Sequence, residues 1–141
     1  MRTTGLAVMG GVLLLLAGGC TRQPAYEPVG DVKQIMKGII EPSSNGVFNV
    51  GSEAPTNDKE WAAVEGNALI LAESGNLLLL GDRAKGKDAD WAEQSRALVH
   101  AGKLALQAAQ DKNVDRISEV GDQIYDTCLT CHKHYLPGGG Q

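Results

Sequence analysis

The stretch that decides the fold is Asn113–Tyr135, NVDRISEVGDQIYDTCLTCHKHY. Val114, Ile117, Gly121, Ile124, Tyr125 and Cys128 recur at steps of three and four, which stacks them on one face of a helix. Asn113 suits the N-cap, and Pro137 with the three glycines that follow it ends the helix. Three upstream segments keep the same rhythm. Asp31–Glu41 places Val32, Ile35, Met36, Ile39 and Ile40 on one face, with Asp31 as cap. Pro42 disfavours helical geometry at Glu41, so this helix is expected to stop or kink there. For Ser43–Gly51 the pattern leaves helix and loop both open. Asn57–Leu80 carries Trp61, Val64, Ala68, Leu71, Ala72, Gly75, Leu78 and Leu79. Asp88–Gln110 carries Trp91, Leu98, Ala101, Ala105 and Ala108. No stretch alternates with period two, so strands are not expected. Four amphipathic helices with short connections read as an all-α, antiparallel four-helix bundle.

Composition agrees with this. The chain has 141 residues, enough for one domain, and 43% of them are hydrophobic. Aromatics are only 4%, so Ala and Leu supply the apolar content, which favours helix over strand. With 13 Lys+Arg against 17 Asp+Glu, the net charge is -4. A nucleic-acid binder needs a basic face, and none is expected here. Gly81–Asp88, GDRAKGKD, resembles a phosphate-binding loop only superficially. Asp88 stands where that loop needs Ser or Thr, and a helical leucine run precedes it where a strand belongs. It reads as a glycine-rich connection between helices.

The chemistry lies near the end of the last helix. Cys128-Leu129-Thr130-Cys131-His132 has the C-x-x-C-H spacing of covalent haem attachment. On a helix, positions i, i+3 and i+4 share a face. Two thiols so placed can add to the two vinyl groups of one porphyrin, and His132 then projects beneath the ring as a ligand to its iron. Three other readings are weaker. A zinc site from Cys128, Cys131, His132 and His134 closes a tetrahedron poorly on one helix, with no distant ligand pair to complete it. A thioredoxin-like pair belongs at a helix start in a βαβ unit. A disulfide across three helical residues is strained.

The N-terminus reads as a targeting segment. Arg2 is followed by the apolar run Leu6–Leu16 and then Ala17-Gly18-Gly19-Cys20. That run rises about 16 Å as a helix, too short for a bilayer core of about 30 Å. Residues 1–19 are therefore read as a secretory signal peptide. Its end resembles a bacterial lipoprotein signal, with Ala17 in the place where such signals usually carry Leu. The resemblance implies that Cys20 becomes the mature, lipid-bearing N-terminus. It also implies a location on the periplasmic side of a bacterial membrane; an ordinary signal cut after Gly19 would leave a soluble periplasmic protein. Residues 20–29 read as a tether and 30–141 as the helical domain.

A haem pattern on the last of four helices, near the C-terminus, resembles the cytochrome c-prime family and its low-spin relatives, the class II c-type cytochromes. Asp31–Tyr135 carries the likeness. It includes Met36 on the first helix, Leu71-Ala-Glu-Ser-Gly-Asn-Leu-Leu78 on the second, and Gly121-Asp122-x-x-Tyr125-x-x-Cys128 on the fourth. The resemblance implies that Cys128 and Cys131 hold one haem c, that His132 is its proximal ligand, and that Met36 occupies the distal position. It implies electron transfer, or binding of NO or CO, depending on the sixth ligand, and homodimers are common in the family.

Among rival sixth ligands, His134 is two residues from His132 and cannot reach the opposite haem face. His100, on the third helix, reads as a surface residue. Trp61, Trp91 and Tyr125 are expected in the core, Tyr125 near the haem. Lys33 and Lys37 flank Met36 and are read as solvated, with haem propionates as their alternative partners. The reading is an exported one-electron carrier cycling Fe(II)/Fe(III), with a five-coordinate haem binding NO or CO as the alternative. It is not an enzyme: the apolar face around Met36 offers no acid–base group. The redox partner protein is not legible.

Overall fold

The computed structural model describes residues 26–84, 89–136 and 138. The signal peptide read at 1–19, the lipid site at Cys20 and most of the tether lie outside the described residues. Among the described residues every regular element is helical. None of these helices is long and apolar enough to cross a membrane.

The first helical run decides between the options that the sequence left open. Its segments are α1 (Val32–Ile35), a π turn (Met36–Ile40), α2 (Glu41–Phe48) and a 3-10 turn (Asn49–Gly51). The helix therefore continues through Pro42, and 43–51 is helical. Asp31 caps it reciprocally with Gln34: the Gln34 amide donates to Asp31 Oδ1 at 2.7 Å, and the Asp31 amide donates to Gln34 Oε1 at 2.9 Å. Pro42 falls in the first turn of α2, and the Glu41 amide donates to the Met36 carbonyl across the π turn. Buried Ser43 and Ser44 are satisfied locally. Ser43 Oγ donates to the Ile39 and Ile40 carbonyls, and Ser44 Oγ donates to the Glu41 carbonyl at 3.0 Å.

The remaining helices are α3 (Asp58–Leu78), α4 (Ala89–Gln110) and α5 (Val114–Tyr135). Asn57 and Asn113 cap α3 and α5, their side-chain oxygens accepting from the Glu60 and Arg116 amides at 3.0 and 2.9 Å. Helix α4 ends with Lys112 in the left-handed region, φ 51°. The Asn113 amide reaches back to the Ala108 carbonyl and the Lys112 amide to that of Ala109, each at 3.0 Å, which satisfies carbonyls that α4 leaves open.

Helices α3 and α4 run antiparallel at close range. A Cβ on Gly75 would lie 2.7 Å from the Ser95 carbonyl oxygen, and one on Gly102 would lie 2.6 Å from both Cα and N of Ala72. The first run and α5 are also antiparallel, since Gly51 faces Ser118 and Gly121 faces Phe48. The arrangement is compatible with a helical bundle. Its core holds Val47, Leu71, Ile117, Val120 and Ile124, with Ala101, Ala105, Ala108 and Ala109 from α4. The apolar stripes expected on α3 and α4 are buried almost throughout.

The connection after α3 contains the 3-10 turn Gly81–Ala84, entered through Gly81 at φ +57°. The Arg83 side chain is buried; its Nε donates to the Gly30 carbonyl at 2.7 Å and Nη1 to the Leu77 carbonyl at 3.3 Å. Pro28 packs on Gly81. The last residues read as tether are thus held against this turn.

Two expectations follow. Gly102→Ala must push the α3 and α4 backbones apart and should cost about 1–3 kcal/mol in urea unfolding. Gly66→Ala, also inside a helix but facing open space, should stabilise by about 0.5–1 kcal/mol. The second concerns acid. The Lys112 ammonium bonded to Asp58 at 2.6 Å holds that carboxyl below its usual range, and hydrogen bonds from Thr56 do the same for Glu60. Stability from such groups is present above their unfolded pKa and lost as pH falls through the lower folded value. The double variant Asp58→Asn, Glu60→Gln should therefore flatten the acid limb of the urea midpoint against pH.

Candidate functional site

All four helical runs contribute to one cavity of about 40 Å³. Met36 and Ile40 come from the first run, Leu78 from α3, and Gln94, Ser95 and Leu98 from α4. Thr127, Cys128, Cys131 and His132 come from the last turns of α5. The C-x-x-C-H residues and Met36, 92 positions or more apart in sequence, thus line the same space.

Cys128 and Cys131 are free thiols, each partly buried. Burial pushes both thiols up from the ordinary cysteine value, and at Cys131 the charge of Cys128 adds to this. Burial thus disfavours the thiolate form of both cysteines. That is the reverse of a redox-active Cys-x-x-Cys, whose thiolate is stabilised at a helix N-terminus. A zinc reading gains nothing: among the described residues no group of three or more His, Cys, Asp or Glu is arranged to hold a metal ion.

The end of α5 is anchored to the start of α4. The Trp91 ring is buried, its Nε1 donates to the Leu78 carbonyl at 2.9 Å, and Tyr135 meets it edge-on with centroids 5.0 Å apart. Such an edge-to-face pair adds about 0.5–1.5 kcal/mol beyond area burial. The apolar pattern does not single out Tyr135, although it lies at helical spacing from Cys128 and His132. Nor does it reveal Gln94 and Ser95. They share the α4 face of Trp91 and Leu98, but polar residues do not register in an apolar stripe.

Tyr125 corrects an expectation. It is 60% exposed, because Ile124 takes the inward position beside it. Trp61 and Trp91 are in the core as expected. His100 and His134 are exposed and do not line the cavity; His134 stacks obliquely on Tyr135 at 4.5 Å. Lys33 and Lys37 are exposed, and Lys37 pairs with Glu41 at 3.7 Å.

The donor chemistry suits a covalently held haem. Two neutral thiols three residues apart, an imidazole one residue on and a facing thioether surround a largely apolar space. The space itself is small, with room for only a few water molecules. Comparison with family models, with curated proteins and with solved structures finds no match for this chain.

Proposed function

We propose that this protein is an exported c-type cytochrome, an antiparallel four-helix bundle that carries one haem c and transfers single electrons. One observation carries the reading: Met36 lines the same cavity as Cys128, Cys131 and His132. Cys128 and Cys131 would hold the group through thioethers, and His132 and Met36 would ligate its iron. The bound iron would supply the Fe(II)/Fe(III) couple. Ile40, Leu78 and Leu98 make the lining largely apolar, which would favour the less charged, reduced form, and a thioether ligand would act in the same direction. The lining holds Gln94, Ser95 and Thr127 as its polar groups besides His132, and no carboxylate or lysine, so it is poorly equipped for acid–base catalysis. The N-terminal reading completes the proposal. A lipid on Cys20 would tether the domain to the periplasmic side of a bacterial membrane, where a redox partner protein is met.

Acid–acetone treatment of the exported protein should leave the pigment on the polypeptide; release of all haem refutes covalent attachment. Met36→Leu keeps size and hydrophobicity and should cost less than about 1.5 kcal/mol. It should convert a low-spin optical spectrum to high-spin and speed CO binding. A wild-type protein already high-spin favours the NO- or CO-binding alternative.

A further inference from the structure

The first helical run contains a register change whose position is not arbitrary. In an unbroken α-helix, residues four apart share a face, so Met36 would lie one turn below buried Ile40 on the core side. The structure departs from this. Ile35 and Ile40, five residues apart, are the buried pair, at 7% and 5% exposure, and Met36 is only partly buried and borders the cavity. The π turn between them supplies the extra residue, and an extra residue rotates the preceding segment by about 100°.

The cause of the π turn is local. Pro42 has no amide hydrogen, and in a regular α-helix its ring collides with the carbonyl four residues back, that of Gly38. A turn widened to five residues relieves the collision, and the Glu41 amide closes it on the Met36 carbonyl. The Ser43 hydroxyl then donates to the Ile39 and Ile40 carbonyls at the end of the turn. Close packing at Gly38 is not the cause, because a Cβ there would meet nothing within 4 Å.

We propose that Pro42 is a positioning residue: by imposing the π turn it brings Ile35 into the buried place one turn before Ile40 and turns Met36 to the edge of the core, where it borders the cavity together with Ile40, Cys128, Cys131 and His132. As a device for setting the sixth iron ligand, this rests on the cytochrome reading. As a statement about where the Met36 side chain lies, it stands on the polypeptide alone.

The test uses Pro42→Ala, with Pro42→Gln as a second variant. Both restore an amide donor and raise helix propensity, so thermal stability should hold or rise. In the haem-free protein, the Met36 methyl resonance, assigned by its loss in Met36→Leu, should show nuclear Overhauser contacts to Leu98 and His132. Both Pro42 variants should lose these contacts. In the haem-loaded protein they should lose the low-spin spectrum although Met36 is still present, reproducing Met36→Leu. Variants that keep the methyl contacts and the low-spin spectrum overturn the proposal, as does a wild-type methyl with no contact to the cavity residues. A protein that shows the expected methyl contacts, loses them in both variants and carries no covalent haem supports the positioning by Pro42 while overturning the cytochrome reading.

Discussion

The approach of α3 and α4 through Gly75 and Gly102 is the constraint on which the rest depends. With hydrogen in place of a side chain at these two positions, the backbones come into contact near Ala72 and Ser95. Alanines along α4 extend the close packing toward its C-terminal end. Toward the other end the buried residues are larger, Leu78, Trp91 and Leu98. Leu78, Ser95 and Leu98 form one wall of the cavity. Small residues thus let α3 and α4 meet, and the joined pair presents the wall against which the site is built.

Two further devices bring the chemistry to that wall. The Trp91–Tyr135 contact, with Trp91 bonded to the Leu78 carbonyl, fixes the last turn of α5 against the α3–α4 pair. The π turn fixes the register of the first run. Cys128, Cys131 and His132 arrive by the first device and Met36 by the second. Their partial burial disfavours the thiolate form of both cysteines.

Much of this is legible in the residues themselves. Asp31, Asn57 and Asn113 are caps because a short side-chain oxygen satisfies amides that a helix start leaves open. The stripes on α3 and α4 are buried because spacing of three and four leaves no other face for them. The two departures share a cause. The pattern puts Tyr125 inward beside Ile124, and a stripe is wide enough to admit either of two adjacent residues; only the neighbouring helix decides which is buried. At Pro42 the local rule foresees disruption and cannot say that a widened turn absorbs it and lets the helix run to Gly51.

The sequence by itself determined the helices, their caps, the apolar faces and the C-x-x-C-H spacing on one helix, because each is fixed by neighbours within a turn or two of the chain. The tertiary structure alone decided that Met36 borders the same cavity as His132, that Tyr135 anchors the end of α5, and that Gln94 and Ser95 line the wall. Those relations join residues far apart in the chain. They depend on how closely glycine and alanine let two helices approach and on how far one widened turn rotates another, and neither quantity is written in any local stretch of residues.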